Sequence, residues 1–186
     1  EKALCRYFGK VAEAAEGMPV YLYNMSGMTN NPITPMVLKT VAEQHRNICG
    51  VKDSSMDFMT LLNYQVAMEK MDFELITGND AQVLPALMAG AAGGIIAVAS
   101  VFPELSFSIW SNFKEGNIEA AKASQKTVLQ IRELFRSVMP TIAHKEALKL
   151  KGFDMGPSRF PFRDLTEEEM RKLKRGLVNL GMIKGD

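Results

Sequence analysis

Short apolar runs alternate with longer amphipathic stretches over the first 116 residues. Pro19-Val20-Tyr21-Leu22-Tyr23, Ile48-Cys49-Gly50-Val51-Lys52, Phe73–Thr77 and Gly94–Ala99 have strand length and end in small polar clusters. Between them the pattern turns helical. Glu1-Lys2-Ala3-Leu4 leads into an amphipathic helix. Thr34-Pro35 supplies an N-cap and a first-turn proline for a helix to about Gln44. Met56 to Met68 carries Phe58, Leu61, Leu62 and Val66 near helical spacing. Ala81 to Met88 and a segment from Phe102-Pro103 to about Gly116 complete the series.

Four strands separated by helices predict a parallel α/β sheet built from right-handed crossovers. The strands end near Tyr23, Lys52, Thr77 and Ala97, at spacings of 29, 25 and 20 residues. Such βα units suit either a (β/α)8 barrel or an open α/β sheet, and both carry their chemistry at the carboxyl ends of strands. After Gly116 no strand pattern recurs. Asn117 to about Val138 and a segment opening at Pro140 read as helices. Residues 152–162 are irregular, and Thr166 with Glu169 forms a capping box before a last helix. The expected division is therefore 1–116, a βα-unit domain, and 117–186, a helical extension.

Composition narrows the class. Of 186 residues, 47% are hydrophobic and 23% charged, and the formal net charge is +1. That balance fits an ordinary globular protein and provides no field to draw nucleic acid or an anionic membrane. Two cysteines, Cys5 and Cys49, cannot build a disulfide framework. Cys49 reads as a buried small hydrophobe, and a reduced, cytoplasmic setting is expected. No signal-peptide pattern opens the chain. The uncharged stretch 84–102 has the length of a membrane span, but Pro85, three glycines and many alanines favour a helix followed by a strand.

The chemistry-bearing candidate is Lys52. A lysine at the carboxyl end of a buried strand, opening into Asp53-Ser54-Ser55, suits a Schiff-base nucleophile, although a solvated lysine capping the strand is the other reading. Tyr23 occupies the same place one unit earlier. Strict alternation from Lys52 puts Gly50 and Ile48 on its face and Cys49 and Val51 on the helix side. With strands about 4.8 Å apart, the Tyr23 hydroxyl and the Lys52 amine can approach hydrogen-bonding distance. Gly78-Asn79-Asp80 adds a third polar strand end. His45 and His144 are too far apart in sequence to suggest a metal site. No Gly-x-Ser-x-Gly elbow is present, and Gly90-Ala91-Ala92-Gly93-Gly94 lacks a phosphate-loop ending.

Several ordered segments carry a resemblance: Leu22-Tyr23-Asn24 with Thr29, Gly50-Val51-Lys52-Asp53-Ser54-Ser55, Gly78-Asn79-Asp80, Gly93-Gly94-Ile95-Ile96-Ala97-Val98, and Lys145-Glu146-Ala147-Leu148 followed by Gly152 and Gly156-Pro157. Through them nearly the whole chain resembles the carboxyl-terminal half of the dihydrodipicolinate synthase / N-acetylneuraminate lyase superfamily. The resemblance implies the last four βα units of a (β/α)8 barrel with a helical extension, a homotetramer when complete, and no cofactor or metal. Lys52 would form a Schiff base with pyruvate or another 2-oxo acid, and Tyr23 would relay protons. Ile96 would lie beside the 2-oxo acid, and Asp80, with Gly78 and Asn79, would meet the substrate, Asp80 binding hydroxyls of a sugar acid.

The chain also departs from that pattern. Ser26 stands where a proline is usual, Asn30 replaces a glycine, and Met28 sits where dihydrodipicolinate synthases place an arginine for the second substrate's carboxylate. The first four strands of such a barrel have no counterpart here, so an inactive fragment is expected. The expected activity is a class I aldolase or lyase acting on pyruvate or a related 2-oxo acid with an aldehyde, with a 2-oxo-3-deoxy sugar acid as the favoured substrate. Dihydrodipicolinate synthase is the alternative, and a non-catalytic barrel that binds a small acid is the alternative of another class.

Overall fold

The computed structural model describes residues 1–185. Its contacts divide them into two compact units, 1–96 and 97–185. The strand pattern placed the division at 116. The helix over residues 103–114 is grouped with the helices that follow, because its main neighbour is the next helix along the chain.

The first unit holds α1 (Lys2–Ala14), β1 (Val20–Asn24), α2 (Ser26–Thr29), α3 (Pro35–Gln44), β2 (Ile48–Asp53), α4 (Phe58–Met68), β3 (Glu74–Thr77), α5 (Val83–Met88) and β4 (Gly93–Gly94). The four strands form one parallel sheet in the order β1-β2-β3-β4. Local sequence explains where the helices begin. The Thr34 hydroxyl accepts from Val37 N at 3.3 Å, with Pro35 in the first turn. The Asp57 carboxylate accepts from Met59 N at 3.0 Å, a cap that starts α4 two residues later than the apolar pattern alone suggests.

One face of the sheet is dry. Leu22, Val51 and Leu75, one from each of three strands, pack with Ile33, with Val37, Leu38 and Val41 of α3, and with Leu61 and Tyr64 of α4. Each such side chain contributes about 1.5–3 kcal/mol on leaving water. The other face carries Tyr21, Tyr23, Gly50, Lys52, Glu74 and Ile76, the alternate positions of the same strands.

Two features differ from the sequence reading. Val20 pairs with Ile48 but Tyr21 pairs with Gly50, so β2 holds an extra residue at this point. A one-residue slip exchanges the faces. Ile48 therefore joins the core at 3% exposure, and Cys49 is only half-buried. Simple alternation had given both residues the opposite placement. The fourth strand is also shorter than Gly94–Ala99. Ile95 N still donates to Thr77 O at 2.9 Å, but Ala97 is already in right-handed helical conformation and a 3-10 turn spans Val98–Ser100. Likewise the expected helix from Ala81 begins as a 3-10 turn, Asp80–Gln82, before α5.

The second unit contains α6 (Pro103–Lys114), α7 (Ile118–Arg136), α8 (Pro140–Leu150) and α9 (Glu167–Asn179). Ala121, Val128, Ile131 and Phe135 make the apolar stripe of α7. They are joined in the interior by Ile142, Ala143 and Ala147 of α8 and by Leu173 and Leu177 of α9. The predicted capping box is present. The Thr166 hydroxyl accepts from Glu169 N at 3.2 Å, and the Glu169 carboxylate accepts from Thr166 N at 2.8 Å. Among the described residues no helix is long and apolar enough to cross a membrane.

Candidate active site at the carboxyl ends of the strands

Parallel pairing places Tyr23 beside Lys52, and Lys52 beside Ile76, at the carboxyl ends of β1, β2 and β3. The Lys52 amine lies over the Tyr23 ring, 4.1 Å from its centroid. This is a cation–π placement, which leaves the hydroxyl to other partners. The Ser54 hydroxyl donates to the Tyr23 oxygen at 3.2 Å, and the Tyr23 hydroxyl points to Met25 Sδ at 3.6 Å. The expected approach of tyrosine to lysine is thus made through the ring face. Tyr23 is half exposed and Lys52 partly buried, so both are open to a small molecule on this face.

Gly78 completes the cluster by having no side chain. A Cβ there would fall 1.9 Å from Ser54 Oγ and 2.8 Å from Lys52 Cε. A side chain at this position would force Ser54 and Lys52 to move. Gly78 N also donates to Asp53 O at 2.6 Å, which ties the end of β3 to β2.

Beneath the two chemical residues runs a buried polar clasp. Asn24 and Asp53 follow Tyr23 and Lys52 directly, face the other way, and are each 1% exposed. Asn24 Nδ2 donates to Asp53 Oδ1 at 2.6 Å, and Ser55 Oγ donates to Asp53 Oδ2 at 2.7 Å. Ile33 N donates to Asn24 Oδ1 at 3.1 Å. Tyr64 closes the network through a hydrogen bond to the Ile33 carbonyl. Burial, with the nearby Asp53 charge, pushes the Tyr64 phenol well above its ordinary range. Satisfied polar groups in a dry layer resist displacement, because separation strands each partner without water. The sequence signal for this clasp was available: two polar residues at helix-facing strand positions, each next to a candidate catalytic residue.

A second pair lies one layer deeper on the open face. Tyr21 donates to the Glu74 carboxylate. That bond, then burial and the Glu74 charge, raises the Tyr21 phenol to about 12. The ring crosses Gly50, where a Cβ would fall 2.3 Å from Tyr21 Cε1. Sequence reasoning missed this pair, since nothing in a single strand announces a cross-strand partner two strands away.

The remaining predicted residues are distributed around the cluster. Asn79 caps the 3-10 turn, its Oδ1 accepting from Ala81 N at 3.1 Å, while its Nδ2 points to Met56 Sδ at 3.7 Å. Asp80 is 9% exposed at the start of that turn. Met28 is on α2 and 79% exposed. Ile96 is half-buried just beyond β4. Among the described residues, no three His, Cys, Asp or Glu side chains gather as a metal site would require.

Residues 1–180 match the model of the dihydrodipicolinate synthetase family. The chain belongs to this family. Within it, the chain is 35% identical over 181 residues to an uncharacterized DapA-like lyase of Halobacterium salinarum, covering 97% of this chain and 58% of that protein. It is 33% identical over 184 residues to the 4-hydroxy-tetrahydrodipicolinate synthase of Acetivibrio thermocellus, covering 98% and 61%. The structure of YagE, a prophage protein of the dihydrodipicolinic acid synthase family from E. coli K12 in complex with pyruvate, superposes with a TM-score of 0.88 at 28% identity. The match covers 96% of this chain and 61% of that one. The chain thus spans about three-fifths of the family members it matches, and its four βα units correspond to part of their barrel.

Proposed function

We propose that this chain carries the Schiff-base half of a class I aldolase or lyase that joins or splits pyruvate, or a related 2-oxo acid, and an aldehyde. The observation that carries the reading is the Lys52 amine over the Tyr23 ring, with Ser54 on the Tyr23 hydroxyl. Membership in a lyase-containing family and the pyruvate bound in YagE support it.

In this mechanism the neutral Lys52 amine attacks the 2-oxo carbon, and loss of water leaves a protonated imine. The imine draws electrons from the neighbouring carbon, so removal of a proton there gives an enamine in place of a free carbanion. In this reading Tyr23 gives and takes these protons, supported by the hydrogen bond of Ser54 to its hydroxyl. The enamine carbon then bonds to the aldehyde carbon, the carbonyl oxygen takes a proton, and water releases Lys52. Cleavage is the reverse.

We further propose that turnover needs strands beyond these four. β1 and β4 are the outer strands of the sheet, and the face that bears Lys52 is open. A cytoplasmic homotetramer is the assembly proposed for the complete protein. The substrate proposed is a 2-oxo-3-deoxy sugar acid, whose hydroxyls Asp80, in the 3-10 turn after β3, would meet, with dihydrodipicolinate synthase chemistry as the alternative. The test of the Schiff base is reductive trapping. The full polypeptide containing residues 1–186 is incubated with pyruvate and borohydride, then digested and mapped by mass. Adduct on Lys52 is expected, and adduct elsewhere, or none, overturns the assignment.

A further inference from the structure

Glu74 stands where a carboxylate can disable Lys52. It lies on β3 opposite Gly50 of β2, and Lys52 is the next residue of β2 on the same open face. With about 3.3 Å per residue along a strand and about 4.8 Å between strands, the two Cα atoms are about 8 Å apart. A glutamate and a lysine side chain together span that gap. An ion pair between them would hold the amine as an ammonium, and attack on a 2-oxo carbon needs the lone pair of a neutral nitrogen. Lys52 is also the only cationic residue in the four strands, so an unpartnered Glu74 has no other cation there to meet.

The structure shows a different pairing. The Tyr21 side chain leaves β1, crosses β2 over Gly50 and donates its hydrogen bond to Glu74 on β3. Gly50 permits the crossing, because a Cβ there would fall on the ring carbons. The bond to Glu74, then burial, raises the phenol to about 12, so Tyr21 stays a donor throughout the neutral range. Lys52 enters no ion pair among the described residues. Its amine rests over the Tyr23 ring, and its stem passes the gap left by Gly78.

The other ionisable groups around the pair are accounted for. Tyr23 presents its ring to Lys52, and its oxygen accepts from Ser54. Asp53 is buried on the helix side and bonded to Asn24 and Ser55. Asp57 caps α4, Asp80 is buried in the turn after β3, and the Cys49 thiol is near Tyr21. From β4 come only Gly93 and Gly94.

We infer that Tyr21 is a positioning residue that engages the Glu74 carboxylate and so leaves Lys52 free to act as the neutral amine. The inference rests on the Schiff-base reading above, and every residue in it belongs to this chain. Tyr21 touches no reacting atom and acts through Glu74.

The test is the pH dependence of borohydride trapping by pyruvate on Lys52, read by mass in the full polypeptide, with melting temperatures measured alongside. The unsubstituted protein is compared with Tyr21→Phe, Glu74→Gln and the double variant. Tyr21→Phe keeps the ring and releases the carboxylate. Its trapping at neutral pH is expected to fall about tenfold, with the profile displaced about one unit toward alkaline pH. The double variant, which has no carboxylate to release, is expected to regain both the rate and the profile. Glu74→Gln alone should trap at least as fast as the unsubstituted protein on the acid side. A Tyr21→Phe profile that coincides with the original overturns the inference and leaves the Schiff base standing. A double variant that stays slow also overturns it, since a packing role for Tyr21 is not relieved by removing a charge. Absence of adduct in the unsubstituted protein overturns both readings.

Discussion

The two units spend their apolar residues differently. In the helical unit, Val128, Ile131, Phe135, Ile142, Leu173 and Leu177 are all at 1% exposure or less. In the sheet unit, the strands bury Leu22, Val51 and Leu75 on one side and hold Tyr21, Tyr23, Lys52 and Glu74 on the other. The contrast separates stability from chemistry. The buried residues of the helical unit act through packing, whereas on the strands one alternate position holds the fold and the next lies on the open face where the proposed chemistry would occur.

The sharpest way to break this contrast is at Lys52. Lys52→Arg keeps charge and most of the stem but cannot supply a neutral amine, so turnover and the borohydride adduct should both vanish while circular dichroism is unchanged. An active arginine variant would show that the open face is not where the chemistry occurs. Tyr23→Phe comes next. It should slow kcat by roughly a hundredfold or more, as expected for loss of a positioned acid/base, with the melting temperature unchanged.

The helical unit should answer in the opposite sense. Leu177→Ala is expected to cost about 2–5 kcal/mol in urea unfolding, with kcat of the folded fraction preserved. The clasp lies between these extremes. Asn24→Leu leaves the Asp53 carboxylate short of a partner in a dry layer, at about 1–3 kcal/mol, and should lower kcat as well, since Tyr23 and Lys52 are the residues on either side. A stability loss without a kcat loss would make the clasp part of the scaffold only.

The smallest effect belongs to Glu169. The Arg163 guanidinium, then the Thr166 backbone, hold its carboxyl down to about 2. A depressed folded pKa contributes stability that is present above the ordinary carboxylate range and is lost as pH falls from there toward 2. Glu169→Gln should flatten that acid limb of the stability profile. Because the pair is exposed, added salt should diminish the difference between the two proteins.

Much of this was legible in the chain. Thr34-Pro35 and Thr166 with Glu169 fixed helix starts because capping is local chemistry, readable within four residues. Tyr23 and Lys52 were legible because strand ends recur at βα-unit spacing. What escaped was non-local. The extra residue at Ile48-Cys49 shows only when β2 is laid against β1, and it exchanged the faces of both residues. The Tyr21–Glu74 pair required knowing that Gly50 lies between them. The strand expected over Gly94–Ala99 rested on β-branched residues, yet pairing ends where the backbone bends at Ala97.

The sulfur atoms beside the tyrosine also give the site a chemical history. Met28 and Met56 are exposed, and Met25 already accepts a contact from the Tyr23 hydroxyl. Peroxide converts a thioether to a sulfoxide, which is polar and accepts hydrogen bonds strongly. A sulfoxide at Met25 would accept the Tyr23 proton more strongly than the thioether does. Two preparations of one sequence, differing only in exposure to oxidant, would then differ in how readily Tyr23 gives up its proton, and a reductase for methionine sulfoxide would remove the difference.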